Sequence, residues 1–257
     1  MPRFAANLSM LFTEVSFIDR FAAAARAGFR AVECQFPYAE SAETIAAQLH
    51  EHDLQMVLHN LPAGDWAAGE RGIACHPDRV AEFRQGVVQA IDYATTLGCP
   101  QLNCLAGIAP AGVPEDVVRD TFIANLRFAA SEMKAVGLRL LVEPINTFDI
   151  PGFYVSRTDQ ALELIDAVGA DNLYLQYDVY HAQRMEGELA NTLVRYLSRI
   201  AHIQIADNPG RHEPGTGEIN YAWLFRHLDA IGYQGWVGCE YKPATTTEAG
   251  LGWMAAS

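Results

Sequence analysis

The fold is decided by four short apolar runs: LRLLVEP at 138–144, NLYLQYD at 172–178, AHIQIAD at 201–207 and GWVGCEY at 235–241. Each has the length and the β-branched or aromatic content of a buried strand. Each also ends at, or next to, a side chain able to hold a metal: Glu143, Asp178, Gln204 and Glu240. Strands lying side by side in a parallel sheet or barrel bring their C-terminal ends to one face, where such folds place their chemistry. One pattern therefore predicts a parallel α/β fold, a metal site and a pair of carboxylates for acid/base work.

Outward from these runs the same rhythm continues. Strands are expected at about 3–8, 29–36, 54–60, 100–106, 138–144, 172–178, 200–206 and 235–240. Amphipathic helices are expected between them, at about 15–27, 41–52, 78–97, 115–136, 157–168, 186–199 and 220–231, with a last short helix from near Thr246. Gly28, Gly98, Gly137 and Gly232 sit where a helix stops and the next strand begins, as left-handed C-caps require. Eight βα units without a long linker predict a single (β/α)8 TIM barrel over residues 1–257, with a doubly wound open sheet as the alternative. The two longest loops, 60–77 and 207–220, follow strand ends and so belong to the catalytic face. Their glycine content suggests lids, with Trp66 as a cap over a small ligand.

The chain of 257 residues carries 18 Lys and Arg against 31 Asp and Glu, a formal charge of −13. It shows no basic cluster, so nucleic acid and anionic membranes are not the expected partners. Five cysteines at irregular spacing, with no C-x-x-C, argue against a disulfide framework or a zinc ribbon. Cys239 is conceivable as a nucleophile, but in a strand it points away from the cleft if Glu240 points in. The N-terminus has no signal-peptide pattern and no apolar run spans a bilayer, which makes the cytoplasm the expected location. A homo-oligomer is an open alternative to a monomer.

Three carboxylates and an amide form an oxygen-only donor set, which favours Mg2+, with Mn2+ as the alternative, over Zn2+. For any one acidic residue at a strand end the plain explanation is a helix N-cap or a surface ion pair. Four on successive strands argue for a site. His59, His181 and His202 lie near the same cleft and are candidates for substrate contact. Arg211 and Lys242 can hold a substrate carboxylate, Arg in a bidentate pair, with Arg71 a weaker candidate. Glu33 ends the second strand and is placed to orient the ligands from behind. No P-loop, G-x-G-x-x-G or G-x-S-x-G occurs, so neither a nucleotide nor a flavin is called for.

With these residues in hand the chain resembles the xylose isomerase-like barrel superfamily, and within it the hydroxypyruvate isomerases. The likeness runs end to end and is carried by RFAANLSMLF, LHNLPAGDWAAGERGIA, VEPINTFDIPGF, QYDVYHAQRMEGEL, HIQIADNPGRHEPGTGEINY and WVGCEYKP. The 2-oxo-tetronate isomerases, a sister family, share the N-terminus and GCEYKP. The resemblance implies a small-molecule hydroxy or oxo acid as the partner, and interconversion of hydroxypyruvate and tartronate semialdehyde in glyoxylate or sugar-acid metabolism. It implies Glu143 and Glu240 as the proton donor and acceptor, and Glu143, Asp178, Gln204 and Glu240 as metal ligands. Related sugar epimerases place His where this chain has Gln204, which speaks further against Zn2+. Moving a carbonyl by one carbon passes through an enediolate, whose two adjacent oxygens a divalent cation can bind. The superfamily also contains an apurinic-site endonuclease, a type that needs several zinc ions, many His ligands and a basic surface. A barrel that only binds a sugar acid would need no acid/base pair.

Overall fold

The computed structural model describes residues 1–256, so Ser257, the last residue of the expected domain, lies outside the described residues. Eight parallel strands close into a barrel in sequence order: β1 Arg3–Asn7, β2 Ala31–Cys34, β3 Gln55–Asn60, β4 Gln101–Cys104, β5 Arg139–Val142, β6 Leu173–Asp178, β7 Ile200–Ile205 and β8 Trp236–Cys239. Pairing of β1 with β8 closes the ring and excludes the open sheet. The strands are one or two residues shorter at their ends than the apolar runs suggest, because the terminal apolar residues turn into loops.

Helices α1 Asp19–Arg26, α2 Ala42–Glu51, α3 Val80–Leu97, α4 Glu115–Ala135 and α5 Thr158–Val168 follow the first five strands in turn. After β6 come two helices, α6 Val179–Met185 and α7 Leu189–Tyr196, where a single helix at 186–199 was expected. The extra helix is short and begins inside the strand-end motif: the Asp178 side chain accepts the Tyr180 N–H at 2.7 Å and caps it. Gly187 and Glu188, both at positive φ, separate the pair. Helix α8 Tyr221–Ala230 follows β7, and α9 Trp253–Ala256 follows β8. Among the described residues no helix is long and apolar enough to cross a membrane.

The main apolar core lies between the strands and the helices, with Phe21, Ile45, Phe122, Leu126, Leu175 and Leu228 fully or almost fully buried. Inside the ring the composition changes along the barrel axis. Toward the N-terminal ends of β1, β2 and β3 it is small and apolar: Ala5, Ala31 and Val57 pack together with Trp236. Two residues further along each strand the same face carries Asn7, Glu33 and His59, and Asn103, Gln176, His202 and Gln204 are buried with them. Barrel interiors are ordinarily filled by branched apolar side chains, so this polar layer marks where the fold departs from packing. Register shifts in the β2–β3 and β6–β7 pairs fall beside Glu33 and Gln176, where bulges re-aim side chains.

Candidate active site

The polar layer forms the floor of the site. Glu33 is fully buried, and its Oε1 accepts from Asn7 Nδ2 at 2.9 Å and from Gln204 Nε2 at 2.7 Å. Its Oε2 lies 2.6 Å from His202 Nε2. Gly238 on β8 makes the room, since a Cβ there would overlap the Glu33 carboxylate. Gln176 Nε2 donates to Gln204 Oε1 at 2.6 Å, so the amide of Gln204 is held at both ends. Glu33 thus orients Gln204 from behind. His202, expected to meet substrate, lies one layer below Gln204 and pairs with Glu33.

Above this floor Glu143, Asp178, His181 and Glu240 converge, each offering one ligand atom, with those atoms within 4.8 Å of one another. All four are buried. Asp178 divides its oxygens: Oδ1 caps α6, and Oδ2 has no hydrogen-bond partner. Glu143 Oε2 accepts from Asn103 Nδ2 at 2.8 Å, and its Oε1 is likewise without a partner. Buried, unpaired carboxylate oxygens are costly unless something else binds them. Two such atoms facing one gap fit a hard divalent cation, and the donor chemistry matches. Gln204 keeps a second lone pair on Oε1 beside the one Gln176 uses.

The electrostatics report the same crowding. Burial, followed by the neighbouring Glu240 and Asp178 charges, holds Glu143 well above the usual carboxylate range. Burial pushes Asp178 up to about 7, against the opposing pull of Arg211. Glu240 is also raised by burial, and there too Arg211 works against the rise. Arg211 is the local cation: its Nη2 sits 2.7 Å from Glu240 Oε2 and 3.9 Å from Asp178 Oδ2. Its Nε is buried without a partner, which leaves one N–H for a ligand. The guanidinium also rests over the Tyr180 ring, 5.1 Å from its centre.

Arg211 is held by a loop built around one acid. Asp207 is buried, and its carboxylate accepts the backbone N–H groups of Asn208, Gly215, Gly217 and Ile219 at 2.9–3.1 Å. The 207–220 segment, expected as a lid, is thus a loop tied to a single centre. Lys242 is exposed and joins the site through its backbone: its N–H reaches Arg211 O at 2.8 Å, and its carbonyl accepts from His212 Nδ1 at 2.7 Å. His59 is fully buried at the end of β3, with Nδ1 3.3 Å from Tyr38 Oη and Nε2 unpartnered. Burial depresses it to about 4, so it is neutral. Trp66 packs on Phe36 with ring centres 5.1 Å apart, and Arg71 covers its other side at 4.2 Å. Arg71 donates to the Trp66 and Glu70 carbonyls and so serves its own loop. Cys239 is fully buried, and that burial raises its thiol well above the usual value, against a nucleophilic role.

Sequence reasoning passed over Asn7, Gln35, Asn103, Asn146 and Gln176. For three of them the signal was present: Asn7, Asn103 and Gln176 are polar residues at alternate positions of strands whose opposite face is apolar.

This geometry can be set beside known proteins. Residues 21–257 match the family model described as xylose isomerase-like TIM barrel. The chain belongs to the xylose isomerase-like TIM barrel family. Within the family it is 58% identical to hydroxypyruvate isomerase of Escherichia coli K12, over 99% of this chain and 98% of that one. It is 49% identical to 2-oxo-tetronate isomerase of Cupriavidus necator, with the same coverage. A solved structure described as an AP endonuclease of family 2 from Brucella melitensis superposes with a TM-score of 0.97 at 47% identity, covering 100% of this chain and 99% of that one. This family member is an isomerase.

Proposed function

We propose that the protein isomerises a short sugar acid, interconverting hydroxypyruvate and tartronate semialdehyde, with residues 1–257 acting as one catalytic domain. The observation that carries this is the pair of buried glutamates, Glu143 and Glu240, which converge with Asp178 and His181 to within 4.8 Å, with Arg211 against Glu240. The 58% identity to a hydroxypyruvate isomerase along the whole chain supports the three-carbon substrate. A 2-oxo-tetronate isomerase at 49% makes the four-carbon acid the runner-up.

Glu143, Asp178, Gln204 and Glu240 would hold the divalent cation, Mg2+ first and Mn2+ second. Such a cation, when bound, would supply positive charge that stabilises an enediolate and eases loss of the carbon-bound proton. The chain's own residues do the rest. Arg211 Nε donates to the substrate carboxylate and fixes its orientation. One glutamate takes a proton from the hydroxymethyl carbon; the C–H pair forms the second carbon–carbon bond, and the carbonyl π pair moves to the ketone oxygen, giving an enediolate. The proton of the terminal hydroxyl passes to the former ketone oxygen, the terminal oxygen becomes the aldehyde, and the other glutamate delivers a proton to the former carbonyl carbon. Two protons leave and two return, so no oxidant or reductant is needed. His181 hydrogen-bonds an oxygen on which charge develops, and His59, whose Nε2 has no partner, serves as a further substrate contact.

The test is a side-by-side assay of metal-stripped protein restored with Mg2+ or Mn2+, given hydroxypyruvate and 2-oxo-tetronate. Tartronate semialdehyde is read by a coupled reductase with NADH, and the four-carbon product by NMR. A strong preference for hydroxypyruvate is expected. Preference for the four-carbon acid moves the chain to the sister activity with the same mechanism, and turnover of neither overturns the proposal. The name borne by the Brucella structure raises a nuclease reading. A net charge of −13 speaks against it, and salt-dependent retention and cleavage of abasic DNA would revive it.

A further inference from the structure

Asn146, fully buried in the loop after β5, faces His181 on α6. Its Oδ1 accepts the backbone N–H groups of Phe148 at 3.1 Å and Asp149 at 2.8 Å. A backbone N–H can only donate, so the oxygen end of this amide is settled and Nδ2 must lie on the other side. From there Nδ2 donates to Asp149 Oδ2 at 3.0 Å and meets His181 Nδ1 at 2.7 Å. Asp149 is in turn fixed by Tyr180 Oη at 2.8 Å and Arg184 Nη1 at 2.6 Å. The main-chain N–H of Asn146 also points at His181 Nδ1, from 3.4 Å. With donors on that side only, Nδ1 must present its lone pair. The ring proton therefore sits on Nε2, which faces Asp178 Oδ2 at 3.6 Å and Glu143 Oε1 at 3.9 Å. Both distances exceed a hydrogen bond, so this N–H is unspent and aims into the gap.

The polarity is the reverse of a metal-binding histidine. A ligating nitrogen needs its lone pair turned to the metal, and the opposite nitrogen then donates to a carboxylate or carbonyl. Here the opposite nitrogen accepts from an amide. We propose that Asn146 is a positioning residue that fixes His181 as an Nε2–H donor into the gap, giving a hydrogen bond to a ligand oxygen and keeping His181 out of the metal's coordination sphere. The part played by the bonded oxygen in turnover rests on the isomerase reading; the tautomer does not.

The experiment is proton–nitrogen correlation NMR on protein with isotope-labelled histidine, with and without Mg2+, the His181 signals being assigned by their loss in His181→Asn. The expected result is a neutral ring protonated on Nε2 in both states. Asn146→Asp offers Nδ1 an acceptor and should move the proton to Nδ1, freeing the Nε2 lone pair. Its kcat should fall about 10–100-fold, the worth of one hydrogen bond to a charged group. Asn146→Ala, which removes the amide without adding charge, should give a mixture of tautomers and covers failure of the first variant to fold. A wild-type ring protonated on Nδ1, a nitrogen shift showing Nε2 bound to metal, or an unchanged tautomer in both variants overturns the proposal. Wild type that turns over neither acid but shows the Nε2 proton defeats the isomerase reading and leaves the positioning role standing.

Discussion

Glu143 and Glu240 are the same residue at equivalent strand ends, and their company differs. Glu240 has donors on both oxygens: Gln35 at 3.0 Å and Asn7 at 3.3 Å on Oε1, and the Arg211 guanidinium at 2.7 Å on Oε2. Glu143 has one neutral donor, Asn103, and an oxygen with none. It also feels the charges of Glu240 and Asp178 on top of its burial. Unequal settings are what divide an acid/base pair into an acid and a base. The arrangement favours ionisation of Glu240 over Glu143, so under the proposed mechanism Glu240 would be the first base and Glu143 the proton-bearing partner. Position in the fold brings both to the site, and the neighbours decide what each does there.

The strongest way to break this comparison is to neutralise each glutamate in turn. Glu143→Gln and Glu240→Gln should each lower kcat by about 10²–10⁴-fold at saturating Mg2+, the usual share of an acid/base group. Exchange of the hydroxymethyl hydrogen of hydroxypyruvate with D2O separates them. Glu143→Gln should retain exchange, because the first proton is still removed, and Glu240→Gln should lose it. The opposite pattern reverses the assignment. Next in size is Arg211→Lys, which keeps the charge but loses the fork. With its substrate contact and its hold on Glu240 both weakened, KM should rise about 10–100-fold, as for a lost charge-assisted hydrogen bond. An unchanged KM would remove Arg211 from substrate binding.

How far the sequence could foresee this contrast follows from what its pattern encodes. Short apolar runs separated by helical ones are a direct record of burial, so the ring of eight strands and the strand-end acids Glu143, Asp178 and Glu240 were legible. Helix α6 was not, because its seven residues are too few for a periodicity and its cap, Asp178, already belongs to the strand motif. The roles of Asn103, Gln35 and Asn146 were hidden for another reason. Each acts on a residue from a different strand or loop, and such pairings exist only once the barrel closes. His202 is the instructive case: its place on the inward face of β7 was readable, but its partner Glu33, 169 residues earlier, was not.

Proton and metal should compete for the crowded side more than for the Arg211 side. A carboxyl raised in the folded state binds its proton more tightly there than in the unfolded chain. For Asp178, between its ordinary value near 4 and about 7, the folded protein holds the extra proton, so stability falls as pH rises through that window. Glu143 acts in the same direction. The melting temperature of metal-free protein should therefore drop between about pH 4 and about pH 7, and Mg2+ should restore it more at the higher pH. Glu143→Gln should flatten this dependence more than Glu240→Gln, whose rise Arg211 already opposes. Equal flattening by both variants would mean that the two sites are electrostatically alike.

The mildest test reaches Glu240 at one remove, through the loop that holds Arg211. Asp207→Asn keeps the shape of the side chain and one accepting oxygen, but its Nδ2 cannot accept from the N–H groups that the second oxygen serves. Leaving buried donors unpaired costs about 1–3 kcal/mol, which for a chain of this size lowers Tm by about 2–4 °C per kcal/mol. Looser placement of Arg211 should raise KM by about 3–10-fold and leave kcat near its wild-type value, since a uniform binding contact is what weakens. D2O exchange should persist, because Glu240 keeps Gln35 and Asn7 on its other oxygen. If Tm falls as expected while KM stays fixed, Arg211 is held instead by its backbone link to Lys242, and the loop centre contributes stability alone.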